Sequence, residues 1–258
     1  MSNFDRNAPV WGAGRAQQTS AVEMDQGLRS FMLGVYNNMT IGLAITGLAA
    51  IGISMLAIAG VSPTGKVTAL TPLGQALYLS PLKWVVMLAP LAFILFFSFK
   101  AESMSSSAAR AMFFAFAAVM GVSMSSIFVV FTGESITKVF FITAAAFGAL
   151  SLAGYTTKKS LSGMGSFLIM GLIGLVIASV VNLFLKSSGL SFAISAIGVL
   201  VFAGLTAWDT QRLKEMYLYS DLDQESAAKL SVNGALSLYL NFINMFQMLL
   251  SLFGTKSE

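Results

Sequence analysis

The sequence predicts an all-α membrane protein with seven transmembrane helices, and two observations lead to that fold class. First, 56% of the 258 residues are hydrophobic and only 10% are charged, whereas a soluble domain carries about 25% charged residues. A chain of this composition cannot cover a water-facing surface. Second, seven apolar segments have lengths close to the about 20 residues that cross a bilayer. They lie at roughly 32–59, 82–99, 110–131, 137–155, 164–185, 189–209 and 232–253.

The segment before the first span is polar and has no apolar core of the signal-peptide type. We therefore expect residues 1–31 to form a polar cytoplasmic N-terminal tail, and residues 32–258 to form one seven-helix transmembrane domain. The first span is then an uncleaved anchor. The second span contains Pro90, which predicts a kink. The short linker at 186–189 predicts a tight antiparallel hairpin between the fifth and sixth spans.

Loop charges predict the orientation, because cytoplasmic loops are enriched in lysine and arginine. The N-terminal side carries ten such residues and the opposite side carries five. We therefore expect a multi-pass protein of the inner membrane with a cytoplasmic N-terminus and an outer C-terminus. A six-span alternative, in which the last segment is re-entrant, would return the C-terminus to the cytoplasm.

The chain contains neither cysteine nor histidine. This composition excludes disulfides, Ser-His hydrolases and zinc or haem sites built on those residues. With no visible pair of nucleophile and base, we do not expect an enzyme. The seventh span also lacks the lysine of a retinal-type pump. The net charge of +4 reflects loop asymmetry and is no argument for nucleic acid.

Asp209 carries most of the functional information, because it is the only carboxylate close to the hydrophobic part of a span. A charge at the edge of hydrocarbon is costly, and such residues usually mark an ion or proton path. Arg212 lies three residues further on, so a simple ion pair at the membrane surface is the alternative interpretation.

Polar residues recur at helical spacing in the last two spans. In the sixth span they are Ser191, Ser195, Gly198, Thr206 and Asp209. In the seventh they are Asn233, Ser237, Asn241, Asn244 and Gln247, which we call the amide stripe. Unpaired amides in hydrocarbon cost several kcal/mol, so we expect the seventh span to be buried. Its amide stripe would face a wet cavity or provide hydrogen bonds between helices.

Two stretches of sequence resemble the Bax inhibitor-1 family. They are Ala207-Trp-Asp-Thr-Gln-Arg212 and Gly234-Ala-Leu-Ser-Leu-Tyr-Leu-Asn-Phe-Ile-Asn244. The span number and Val35-Tyr-Asn-Asn-Met39 at the first span agree with the resemblance, which covers nearly the whole chain. It implies a fold in which the last helix is central and the other six wrap it.

The resemblance also implies a pH-sensitive calcium leak, in which two aspartates on the last two helices share a proton and close the pore. The first of them falls on Asp209, and the second on a position that holds Asn241 here. An Asp–Asn pair cannot share a proton in that way, and calcium prefers several carboxylates. We therefore expect only a weak calcium site at Asp209 and Asn241, and no other cofactor. Arg212 and Lys100 are the candidate charge partners.

Two functions follow as expectations. The first is a cation leak channel, for calcium above all, with Asp209 at its cytoplasmic gate. The second is a non-conducting regulatory protein that acts through helix contacts on a membrane protease or stress pathway. The expected partners are the lipid bilayer, calcium or other cations, and membrane proteases.

Overall fold

The structure is a computed structural model that describes residues 11–62, 66–100 and 103–257. Residues 1–10 of the N-terminal tail and the terminal Glu258 lie outside the described residues. In chain order, the elements are α1 (Trp11–Ala57), β1 (Ile58–Val61), β2 (Val67–Leu70), α2 (Pro72–Tyr78), α3 (Leu82–Lys100), α4 (Ser106–Met124), α5 (Ile127–Val130), α6 (Gly133–Thr156), α7 (Ser162–Leu185), α8 (Ser188–Tyr219) and α9 (Gln224–Phe253).

Seven helical stretches in the described chain are long and apolar enough to cross a membrane, which confirms the predicted number of spans. They are Met24–Ala57, Leu82–Lys100, Ser106–Val130, Gly133–Thr156, Ser162–Leu185, Ser188–Tyr219 and Gln224–Phe253. The last of them, α9, is one unbroken helix of 30 residues, or about 45 Å at 1.5 Å per residue. Its length and continuity agree with a full crossing rather than with a re-entrant segment.

Three helices extend beyond the apolar segments that predicted them. Helix α1 begins at Trp11 instead of near residue 32, α8 continues past Asp209 to Tyr219, and α9 begins at Gln224 instead of near 232. The extensions are rich in residues that favour helix, such as Gln, Glu, Lys and Leu. Hydropathy identifies the part of a helix that suits the lipid, but it does not identify where the helix ends.

A short β-hairpin between the first two spans was not predicted. Strands β1 and β2 pair antiparallel, with Ile58 opposite Leu70. Next, Thr71 caps α2 by accepting a hydrogen bond from the backbone N–H of Gly74 at 3.2 Å. Ser-Pro-Thr-Gly at 62–65 is a turn signal. The hydropathy of Ile58 and Ala59 placed them in the first span instead.

The fifth and sixth spans form the predicted tight hairpin. Helix α7 ends where Lys186 adopts a left-handed conformation with φ 49°, which is uncommon for a residue other than glycine. Asn182 stabilises this turn, because its Oδ1 accepts from the backbone N–H of Ser187 at 3.0 Å. Its Nδ2 donates to Oγ of Ser191 at 2.7 Å, on the first turn of α8.

Helix α9 lies deepest in the bundle and packs against α1, α4, α6 and α8. Val232, Leu238 and Tyr239 on α9 are fully buried. In contrast, α3 packs mainly against α4, and α7 packs mainly against α8. The contacts therefore surround α9 with four spans and do not confirm the prediction that all six wrap it.

A polar contact joins three of these helices inside the apolar core. Thr46 of α1 lies 2.7 Å from the hydroxyl of Tyr239 on α9, and its Oγ1 donates to the carbonyl of Ala117 on α4 at 2.9 Å. Tyr239 is fully buried, and its ring packs edge-on against Phe113 and Phe116. Every buried side-chain nitrogen or oxygen in the described chain has a hydrogen-bond partner.

Candidate functional site

Asp209 lies within α8, ten residues before the helix ends at Tyr219. The sequence predicted it at the end of the sixth span, but the helix continues to Tyr219. Asp209 is only 9% exposed, and its neighbours Thr206, Thr210 and Gln211 are buried as well. The carboxylate is therefore enclosed by the bundle and is not a surface group at a helix end.

Asn241 on α9 is the direct partner of this carboxylate. Its Nδ2 donates a hydrogen bond to Oδ2 of Asp209 over 2.7 Å, and Asn241 is itself 6% exposed. An ionised carboxylate can only accept hydrogen bonds, so the amide must present its nitrogen. The structure thus brings together the two positions that the family resemblance had paired.

Arg212 lies near the same carboxylate but is a weaker partner. Its Nη1 is 4.0 Å from Oδ1 of Asp209, and 54% of the Arg212 side chain is exposed. The guanidinium also lies over the ring of Trp208, 5.2 Å from the centroid. An exposed pair at this distance contributes little. The surface ion pair considered from sequence therefore exists, but the buried hydrogen bond to Asn241 is the shorter contact.

Lys100 is not brought to the site. It is exposed at the last turn of α3, which packs mainly against α4. In the part of the chain that the structure describes, the ion pair with Arg212 is the only one that Asp209 makes. The structure therefore does not pair Lys100 with Asp209, because the second span packs mainly against α4, and a role of Lys100 as a charge partner stays a prediction.

The amide stripe is divided between the interior and the surface. Asn241 is buried and Asn244 is half-buried, with its Nδ2 bonded to the carbonyl of Leu240 at 2.8 Å. Asn233, Ser237 and Gln247 are exposed. The sequence left two environments open for the stripe, a wet cavity or hydrogen bonds between helices. Helices do not cover these three residues, because the neighbouring helices leave one face of α9 open. These exposed residues form an open polar surface on α9.

The polar residues of α8 lie mostly inside the bundle. Ser195, Gly198, Thr206 and Asp209 are buried, whereas Ser191 is exposed. Oγ of Ser195 donates to Oγ of Ser251 on α9 at 3.1 Å. The two final helices are therefore joined by polar contacts at two levels, which are Asp209–Asn241 and Ser195–Ser251.

A chain of hydroxyls beside Asp209 was not found from the sequence. The hydroxyl of Tyr36 on α1 lies 2.6 Å from Oγ of Ser151 on α6, which lies 3.0 Å from Oγ1 of Thr210 on α8. Thr210 is the residue next to Asp209. Tyr36 stands in the Tyr-Asn-Asn stretch that supported the resemblance, but nothing in its spacing indicated Ser151 as its partner.

The site offers little to a metal ion. Asp209 supplies one carboxylate and Asn241 one amide oxygen, and the described residues contain no group of three or more acidic or other metal-binding side chains. Calcium is usually held by six to eight oxygens with several carboxylates. One carboxylate and one amide therefore supply fewer oxygens than a calcium site usually has.

Comparison with known proteins identifies the family. A family model described as "Inhibitor of apoptosis-promoting Bax1" matches residues 28–258. An uncharacterized protein of Caulobacter vibrioides is 44% identical to this chain, and the alignment covers 100% of this chain and 100% of the relative. The uncharacterized protein RP147 of Rickettsia prowazekii is 43% identical, over 91% of this chain and 93% of the relative.

A third relative has a name that states its location. The inner membrane protein YbhL of Escherichia coli is 41% identical, over 92% of this chain and 96% of its own length. The family match covers six of the seven spans completely and the first from residue 28 onward, and both Asp209 and Asn241 lie within it. The chain is therefore an integral membrane protein that belongs to the Bax inhibitor-1 family.

Proposed function

We propose that this protein is a pH-sensitive cation leak of the inner membrane, with calcium as the leading candidate ion and Asp209 at its gate. One observation carries the proposal: a buried carboxylate joins the last two helices through a 2.7 Å hydrogen bond from Asn241. A buried ionisable group in a membrane bundle is costly, and such groups usually mark an ion or proton path. The name of the Escherichia coli relative supports the choice of membrane.

The geometry suggests how the gate would work. With Asp209 ionised, the charge-assisted hydrogen bond holds α8 and α9 together at Asn241. Protonation of Asp209 removes that charge and also the attraction to Arg212. The contact between the two helices then weakens. The pH response would come from a single carboxylate, and not from a pair that shares a proton.

The open face of α9 supports a hydrated path beside the gate. Asn233 and Ser237 are exposed on the helix that carries Asn241. Amide side chains facing hydrocarbon would be costly, since each unpaired group there costs several kcal/mol. Contact with water removes this cost. We infer that this face borders water during conduction.

The test is calcium flux into liposomes that contain the purified protein and a calcium-sensitive dye. We expect faster flux than in protein-free liposomes, and a rate that differs between mildly acidic and mildly alkaline buffer. Asp209→Asn should largely remove that difference. Flux equal to that of protein-free liposomes at both pH values would contradict the channel.

The second candidate is a non-conducting regulatory protein that acts through helix contacts on a membrane protease or stress pathway. The observation that favours it is Asn241 itself, because a neutral amide leaves the site with only one carboxylate. Cross-linking in intact membranes distinguishes the two candidates. Absence of flux together with a stable cross-linked membrane partner supports regulation, whereas flux from the purified chain alone supports the leak.

A further inference from the structure

A deep groove lies between α1 and α6, on the outside of the bundle. Both helices pack against α9 but make little direct contact with each other. The groove has a volume of about 1050 Å³, and Phe242 of α9 lines it. Leu33, Leu48 and Leu152 on its walls are exposed, so the groove opens to the surroundings of the protein.

The lining of the groove is polar at one end and apolar along the rest of its length. Polar side chains gather towards one end, where the groove is lined by Arg29, Tyr36, Thr40, Ser151 and Tyr155. Beyond Leu43 the walls are apolar and include Leu48, Ile51, Phe140 and Ala144. From Arg29 to Ile51, α1 covers about 33 Å at 1.5 Å per residue. That length is close to the about 30 Å of a bilayer's hydrocarbon core.

Two basic residues lie at or next to the polar end. Arg29 is exposed at the rim. Nζ of Lys214 donates to the carbonyl of Tyr155 at 2.8 Å and lies 5.4 Å from the centroid of the Tyr155 ring. One cation and two phenols thus line one end of an apolar groove, and a second cation, Lys214, contacts Tyr155 there. This combination matches an anionic headgroup joined to a hydrocarbon chain.

We propose that the groove binds one anionic phospholipid. An acyl chain occupies the apolar part between α1 and α6, and the phosphate lies at the end marked by Arg29 and Tyr155. The apolar part favours a hydrocarbon chain over water, because apolar surface is more stable against hydrocarbon than against water. The guanidinium of Arg29 at the rim would favour anionic over zwitterionic headgroups.

The bound lipid would contact the layer of the bundle that holds Asp209 and Asn241. Tyr36 in the groove connects through Ser151 to Thr210, which follows Asp209. Phe242 in the groove follows Asn241. If the lipid acts on Asp209 through these contacts, that effect rests on the proposed leak. The binding of the lipid does not depend on the proposed leak.

Two glycines in the groove provide the test. A Cβ added at Gly47 or at Gly148 meets nothing within 4 Å, and both residues line the groove. Gly47→Leu and Gly148→Leu therefore fill the groove without an imposed clash. Gly174→Leu is the matched control, because a Cβ there also meets nothing within 4 Å and this α7 residue lies outside the groove.

The measurement is native mass spectrometry of the detergent-purified protein after addition of phosphatidylglycerol or phosphatidylcholine. We expect wild type and Gly174→Leu to retain one phosphatidylglycerol in preference to phosphatidylcholine. Gly47→Leu and Gly148→Leu should lower that retention several-fold. Arg29→Gln should reduce the preference for phosphatidylglycerol while the protein keeps its thermal unfolding temperature.

Equal phosphatidylglycerol retention by wild type and both groove-filling variants would overturn the proposal. An equal loss in Gly174→Leu would also overturn it, because the effect would then not belong to the groove. Equal binding of the two lipids would overturn the anionic selectivity. None of these readouts depends on flux, so failure of the leak and failure of the lipid site are distinguishable.

Discussion

Asn241 donates a 2.7 Å hydrogen bond to Asp209 and thereby joins two helices through residues that are 32 positions apart in the chain. Both residues are buried, at 6% and 9% exposure. Because the amide is neutral, the charge at this level of the bundle depends on Asp209 and on the distant guanidinium of Arg212. The properties of this site therefore depend on a single buried carboxylate.

Asn241→Leu should destabilise the protein, because it leaves the buried carboxylate of Asp209 without its hydrogen-bond donor. An unsatisfied buried group costs about 1–3 kcal/mol, and we expect a loss of that size in thermal unfolding in detergent. Asn244→Leu is the control, since Asn244 is half-buried and bonds only to its own helix. An equal loss in the two variants would argue against a special role for the Asp209–Asn241 bond.

Tyr239→Phe should lower stability by about 0.6 kcal/mol, which is typical of one hydrogen bond between transmembrane helices. The variant removes the hydroxyl that lies 2.7 Å from Thr46 but keeps the buried ring. Thr46→Val should cost more, because it also removes the hydrogen bond to Ala117 and leaves the Tyr239 hydroxyl unpartnered. Unfolding measured for both variants tests this order, and the reverse order would contradict it.

Asp223 should make the start of α9 sensitive to acid. Hydrogen bonds from the side chain and backbone N–H of Ser226 lower the pKa of the exposed Asp223 carboxyl. A lowered folded-state pKa means that this stabilisation is present above the ordinary Asp pKa of about 3.9 and is lost as pH falls through the lowered value.

The measurement for Asp223 is thermal unfolding in detergent at neutral and at acidic pH. Asp223→Ala should unfold at a lower temperature than wild type at neutral pH, and the difference should shrink in acid. Asp223→Asn keeps a good N-cap acceptor without the charge, so its deficit at neutral pH should be smaller. A deficit of Asp223→Ala that is independent of pH would contradict the role of the ionised carboxylate.

The orientation predicted from loop charges is tested by a reporter fused after Glu258. We expect reporter activity on the non-cytoplasmic side. The C-terminal segment lies against the start of α6, where the backbone N–H of Thr255 donates to Oγ of Ser135 at 2.8 Å. Lys138 lies near the same end of α6 and was counted on the side with fewer basic residues. Reporter activity in the cytoplasm would reverse the topology.

The number and approximate positions of the spans could be predicted from the sequence, because the thickness and apolar character of the bilayer determine the length and composition of a span. Helical spacing placed Asp209 and Asn241 on the polar faces of their own helices, and the family resemblance paired the two positions. The position of Lys100 relative to Asp209 could not be predicted, because the choice of helix against which the second span packs depends on how side chains fit together. The burial of Asn241 but not of Asn233 likewise depends on which neighbours cover each face of α9.

The hydroxyl chain from Tyr36 to Thr210 was beyond sequence reasoning for a similar reason. Tyr36 and Ser151 are 115 residues apart, and Ser151 and Thr210 are 59 apart. No periodicity within one helix relates them. Their contacts arise only when α1, α6 and α8 are placed around α9.

The central claim is that Asp209 and residue 241 form the gate of a cation leak. The most direct test compares calcium flux across a pH series in liposomes that contain wild type, Asn241→Asp or Asp209→Asn. Asn241→Asp places a second carboxylate beside the first, and two adjacent carboxylates retain a shared proton more readily than one alone. We therefore predict a steeper pH dependence of flux and tighter calcium binding in Asn241→Asp, and weaker calcium binding in Asp209→Asn. Closely similar pH profiles and calcium affinities in all three proteins would contradict the gate and favour the regulatory function.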